Sequence, residues 1–315
     1  MATYLSILLE TLDVTGPIFI IVLTGLALRR LGFIDDHFIE VSSRLVFSLC
    51  LPILLFTTIT RIDLSATLDP GLVVFSLVAS LFTFSLAWLA AIMTAPTIDR
   101  GVLTQAAFRS NLGVIGLALC ASAYGNDGLA LASILMAVLT VSYNILSVIV
   151  LSIYAETAPG VRKILIDIVR NPLIIAIAIA LLFAVGNIPV PGVLRSTGEY
   201  LGRLALPLAL LGAGAAMNLR TIRDSGAQTI IGTLLKTILL PGAVTAGAVA
   251  MGYSGTALGV VFLLFVSPTA TASYIMVKSM GGNDRLAANL VMVTTLVGIF
   301  TTSLGLFLLR LFGLA

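Results

Sequence analysis

Small hydrogen-bonding side chains collect at two places where this chain is poorly suited to a continuous helix. One is Ser110-Asn111, followed by Gly113 and Gly116; the other is Ser267, Thr269 and Thr271 around Pro268. Proline removes an amide donor and clashes with the preceding turn, and each glycine costs about 1 kcal/mol relative to alanine in a helix interior. Both stretches lie inside apolar runs. Backbone groups exposed there cost several kcal/mol unless they line a cavity or meet a ligand. The amino ends of the half-helices carry partial positive charge, so such a place suits a carboxylate. The chemistry is recognition of an anion without bond-making, and Ser110, Asn111, Gly113, Ser267, Pro268, Thr269 and Thr271 are its expected substrate-binding residues. The plainer alternative is that the prolines and glycines only kink packed helices while the hydroxyls bond back to their own backbone.

Three further groups belong to the same question. Thr140, Tyr143 and Asn144 form a polar patch, with Thr140 and Asn144 one helical turn apart on one face. They line a pocket or make an interhelical hydrogen bond contributing about 0.6 kcal/mol. Lys236 falls near the middle of an apolar run, where a charge either faces a cavity or partner or snorkels along its four-carbon stem. Arg109, just before the first break, either pairs with an anion or meets lipid phosphates at the cytoplasmic edge. Pro52 and Pro207 read as helix kinks.

The elements that must position these residues follow from composition. Of 315 residues, 59% are hydrophobic and 10% charged, with a mean hydropathy of +1.15. Too little polar surface remains to coat a soluble core, so this is an integral membrane protein. The apolar runs are about 17 to 25 residues long without period-two alternation, which predicts helices rather than barrel strands. Ten segments are expected, near 14–31, 38–60, 70–95, 101–124, 127–153, 171–187, 197–218, 227–251, 255–279 and 284–311. Glu10 and Asp13 give the amino terminus the wrong charge for a cleavable signal peptide.

The chain is also written twice. Phe108-Arg109-Ser110-Asn111 through Gly125-Asn126-Asp127 returns at one offset as Phe265-Val266-Ser267-Pro268 through Gly282-Asn283-Asp284. Leu49-Cys50-Leu51-Pro52 returns as Leu204-Ala205-Leu206-Pro207, and Pro17 as Pro172. The repeat divides at the polar connection holding Glu156, Arg162, Lys163, Asp167 and Arg170, giving units 1–154 and 171–315 joined by a cytoplasmic connection at 155–170. Five spans per copy force the second copy to enter from the opposite face, so the fold class is an all-α membrane protein with ten spans in a 5+5 inverted repeat, its fourth and ninth spans interrupted and crossing. Breaks at matching positions of both copies favour the functional reading over simple kinks. Most basic residues, among them Arg29, Arg30, Arg44, Arg100, Arg109, Arg220, Arg223, Lys278 and Arg285, fall on one set of loops, which places that set in the cytoplasm and both termini on the other side of the plasma (inner) membrane.

The Ser-Asn-Leu-Gly stretch at 110–113, Ser-Pro-Thr-Ala-Thr-Ala-Ser-Tyr at 267–274 and the following Met-Gly-Gly-Asn resemble the auxin efflux carrier family over essentially the whole chain. The resemblance implies a fold related to bile acid sodium symporters, with an organic-anion site where the fourth and ninth helices cross and polar groups from the fifth helix in the pocket. It also implies a scaffold of spans one, two, six and seven and a transport domain of spans three to five and eight to ten. Plant members carry proline at both crossings, whereas this chain has Asn111-Leu112-Gly113 at the first. Its short central connection makes bacterial-type members, described as malonate or other dicarboxylate permeases, the closer match, and auxin itself is not the expected substrate.

Other classes find little support. There is no Walker loop, zinc protease motif or nucleophile elbow, so the chain does not read as an enzyme or an ATP-driven pump. Cys50, Cys120 and His37 lack metal-ligand spacing, so neither a metal nor another cofactor is expected. Asp35, Asp36, Glu40, Asp63 and Asp69 fall at loops or helix ends, where caps and solvent account for them. With no acid at mid-span, a coupling ion is either Na⁺, held by carbonyls and hydroxyls at the breaks, or H⁺. The net charge of +3 is the basic trim of cytoplasmic loops and does not point to nucleic acid. The partners expected are a small organic anion and the lipid bilayer, and the small-residue run at 212–216 leaves a homodimer open. A ligand sensor on the same fold is the alternative function.

Overall fold

The computed structural model describes residues 2–61, 69–154, 166, 170–217 and 226–315. Asp63, most of the central connection with Glu156, Arg162, Lys163 and Asp167, and also Arg220 and Arg223 lie outside the described residues. Within them the chain is helical, and its one sheet-like feature is an isolated antiparallel bridge between Ser110 and Thr269.

Helix α1 runs Ala2–Arg30, α2 Asp36–Ile59, and α3 Pro70–Thr94. Helix α4 is Thr97–Phe108. The chain re-enters a helix at Leu112 and continues to Tyr154, but Gly125 adopts φ 62, ψ −145 and divides that stretch into α5 (112–124) and α6 (126–154). Next come α7 (Pro172–Val185), α8 (Gly192–Arg203) and α9 (Ala205–Ala215). Then follow α10 (Ala227–Ala250), α11 (Gly255–Val266), α12 (Thr271–Ser279) and α13 (Asp284–Leu311).

Among the described residues, six helical stretches are long and apolar enough to cross a bilayer: Leu5–Arg30, Asp36–Ile59, Pro70–Thr94, Leu112–Tyr154, Ala227–Ala250 and Asp284–Leu311. A span needs about 20 residues. Helices α4, α5, α7, α8, α9, α11 and α12 are each shorter than that, and α4–α5, α8–α9 and α11–α12 follow one another across short breaks. The first helix begins at Ala2 instead of near residue 14, because Glu10 and Asp13 stay on its exposed face while Thr11, Val14, Thr15 and Ile18 face inward. Charges three residues apart share one side of a helix and do not end it.

Caps and prolines explain the other boundaries. Asp35 accepts from the Phe38 amide (2.7 Å), Asp69 from Gly71 (2.8 Å) and Asn171 from Leu173 (2.9 Å), starting α2, α3 and α7. A proline ring presses on the carbonyl four residues earlier. For Pro52 and Pro241 that residue lies in a widened π turn, Val46–Cys50 or Leu235–Leu239; for Pro207 it is Arg203, where α8 gives way to α9.

Helix α1 packs chiefly on α9, and α2 on α7 and α8. Elsewhere α3 packs on α4, α4 on α6, α10 on α11 and α13, and α12 on α13. The Phe108 ring, at the end of α4, meets Phe84 and Tyr143 edge-on at centroid distances of 5.2 and 5.3 Å, which anchors the first break between α3 and α6.

Candidate functional site

The two interruptions meet. Between α4 and α5 the chain is extended at Arg109, and between α11 and α12 it is open from Ser267 to Ala270. The Asn111 amide donates to the Pro268 carbonyl (2.7 Å) and the Ala270 amide to the Arg109 carbonyl (3.1 Å). Each break therefore satisfies part of the other's backbone, where the sequence leads one to expect those groups to wait for a ligand. Further bonds complete the joint: the Thr269 amide donates to Thr294 Oγ1 (3.1 Å), and Thr269 Oγ1 donates to the Ala106 carbonyl (2.7 Å). A buried joint needs this accounting, since each orphaned group costs about 1 to 3 kcal/mol.

A cavity of about 340 Å³ opens beside the joint. Its wall includes Arg109, Ser110, Asn111, Leu112 and Gly113 from the first break and Ala270, Thr271 and Ala272 from the second. Helix α6 adds Met136, Thr140, Tyr143 and Asn144, α2 adds Phe47, and the start of α7 adds Asn171, Pro172 and Leu173. That volume is of the order that holds a small ligand. The first residues of α5 and α12 lie on its wall, and the leading amides of a helix have no acceptor within it.

Of the residues singled out from sequence, Ser110, Asn111, Gly113, Thr140, Tyr143, Asn144, Thr271 and Arg109 share this wall. Ser267, Pro268 and Thr269 stand behind it. Ser267 Oγ donates back to the Leu263 carbonyl (2.7 Å), as the kink alternative describes, and the Pro268 ring faces Gly298. The lining by Phe47, Met136 and Asn171-Pro172-Leu173 went unread: Asn-Pro signals a helix start, and that signal carries nothing about a cavity.

Arg109 is only 8% exposed. It therefore does not lie at a helix end meeting lipid phosphates, because the break that carries it is packed inside the protein. Its guanidinium donates to Asn144 Oδ1 (2.8 Å) and Ser147 Oγ (3.2 Å) and touches the Met276 sulfur. Lys236 is 2% exposed and does not reach the cavity; its Nζ donates to Ser110 Oγ (2.5 Å) and the Phe265 carbonyl (3.0 Å). Among the described residues the ion pairs are Arg29–Asp36, Arg44–Glu40 and Arg61–Glu199, all away from the joint. Arg109 and Lys236 are thus both held by neutral groups, and of the two only Arg109 lies on the cavity wall, where it favours a bound negative charge.

Comparison with known proteins identifies the family. The family described as membrane transport protein matches residues 15–306. An uncharacterized transporter from Methanothermobacter thermautotrophicus is 23% identical over 291 residues, covering 91% of this chain and 94% of the relative. Apolar helices, the paired interruptions and a match along nearly the whole chain lead to one assignment: this multi-pass membrane protein belongs to the membrane transport protein family, the auxin efflux carrier type that its sequence resembles.

Proposed function

We propose that this protein is a secondary transporter of a small organic anion, a carboxylate or dicarboxylate of malonate-like size, working by alternating access. The observation that carries the reading is Arg109, buried on the cavity wall with neutral partners and no carboxylate, beside the amino ends of α5 and α12. A carboxylate there would accept from the guanidinium and from leading amides of both half-helices.

Joined end to end, α4 with α5, α8 with α9, and α11 with α12 complete ten spans in a 5+5 inverted repeat. In this arrangement α1, α2, α7, α8 and α9 form the scaffold, and α3–α6 with α10–α13 the transport domain. Most helix packing falls within the two groups, with α1 against α13 the main contact between them, and the cavity lies on their border, with Phe47, Pro172 and Leu173 facing the crossing. Movement of one group against the other would expose the site to each side in turn. On this reading the protein sits in the plasma (inner) membrane with both termini on the non-cytoplasmic side.

Flux measurement separates transport from ligand sensing. Proteoliposomes holding the purified chain are expected to take up labelled malonate or a related carboxylate saturably. Replacing Asn111 with alanine removes a polar group from the wall and should raise the half-saturation concentration about tenfold or more, the size of one hydrogen bond to a charged group. Carboxylate binding with no flux would make the protein a sensor; neither binding nor flux would remove the anion reading.

A further inference from the structure

Lys236 stands at the opposite electrical pole of the joint from the cavity. Phe265 is in the last turn of α11, so its carbonyl is one of the four that a helix end leaves without an internal partner. Ser110 lies just past the end of α4, and its hydroxyl also donates to the Phe265 carbonyl, at 3.2 Å. The turn carrying Lys236 packs against both α4 and α11. The ammonium is therefore placed at the carboxyl ends of the two leading half-helices, where partial negative charge gathers. In transporters with broken helices, such carbonyl ends and nearby hydroxyls are where a coupling Na⁺ is held.

We propose that the Lys236 ammonium is a resident cation filling the place that a mobile coupling cation would take at this joint, so that the folded protein holds no sodium there. A buried ammonium is costly to desolvate, and among the described residues no carboxylate offsets it. What compensates is the hydroxyl at 2.5 Å, the carbonyl at 3.0 Å and the two helix ends, the same kinds of oxygen donor that hold a coupling cation at broken helices. Tethering keeps the amine in place: the negative ends of α4 and α11 face Lys236, and the positive ends of α5 and α12 remain for the anion. The meaning for transport rests on the function proposed above, whereas occupancy of the place is tested by binding alone.

The test is thermal unfolding of the purified full chain in sodium, methylammonium and choline chloride at equal ionic strength. Wild type should melt at the same temperature in all three. Lys236→Ala, which opens room beside Ser110 and Phe265, should melt lower in choline and recover by about 5 °C, saturably, in sodium or methylammonium, the order expected when a site is filled far above its dissociation constant. Lys236→Ser serves as the second small variant should the alanine form not accumulate, with the same response expected. A saturable sodium-specific rise in wild type overturns the proposal, and so does a small variant that responds to neither cation. Stabilisation of wild type by malonate reads the anion site separately, so the loss of either result leaves the other standing.

Discussion

Replacing Arg109 with glutamine is expected to weaken carboxylate binding by at least about 30-fold while folded protein remains in the membrane. Truncating one partner of a buried hydrogen-bonded charge pair costs about 2 to 5 kcal/mol, and 1.4 kcal/mol is a factor of ten. The fold should tolerate the change because the guanidinium is held by Asn144, Ser147 and Met276, none of which is left as an unpaired charge when it goes. Glutamine keeps a donor for the Asn144 oxygen. Arg109→Lys restores the charge without the planar fork and should recover only part of the affinity. Binding of labelled malonate to purified protein, with a thermal melt as the control for folding, checks both variants. Unchanged affinity in Arg109→Gln would mean that the anion does not meet this side chain.

The second large effect concerns the close approach of α1 and α9. Substituting leucine at Gly214 should prevent accumulation of folded protein, because the side chain would be driven into the Val22 carbonyl of α1. Gly25 makes the reciprocal approach to the Leu211 carbonyl of α9. Two helices in backbone contact can open only by moving apart, which strips the packing along α1 and α9. Overpacking that a rotamer relieves costs about 1 to 3 kcal/mol; here the obstacle is main chain, so the loss should exceed that range. Gly242→Ala is the matched control. A methyl group there meets open space, and the change should be neutral or stabilise by up to about 1 kcal/mol. Size-exclusion profiles and melting curves of the two variants would show whether close approach or glycine content is what matters. A Gly214→Leu protein as stable as wild type would contradict the packing described.

Much of the fold was legible because breakers stand inside otherwise unbroken apolar runs. Pro268 and Gly113 mark the two interruptions, and Gly125 falls between segments four and five where the structure shows φ 62. What pattern alone did not reveal is direction. Thr269 and Thr271 are two residues apart in one polar stretch, yet Thr271 lines the cavity while Thr269 turns back to Ala106 and Thr294. Arg109 was open to either an anion or lipid phosphates, because its depth depends on how the break is folded into the core. Lys236 was visible as a charge inside an apolar run, facing a partner or snorkelling, but its partners Ser110 and Phe265 are remote in sequence and meet only through tertiary packing. The breaks' backbone bonds were hidden for the same reason: no local signal shows that the Asn111 amide will find the Pro268 carbonyl.

The most direct test of the central claim is an experimental structure determined with a bound small carboxylate such as malonate. The ligand should lie in the cavity beside the joint, one carboxylate within hydrogen-bond distance of the Arg109 guanidinium and of leading amides of α5 and α12, with the Asn111–Pro268 pairing intact. A carboxylate bound elsewhere with this cavity empty, or spans four and nine seen as continuous separate rods, would contradict it.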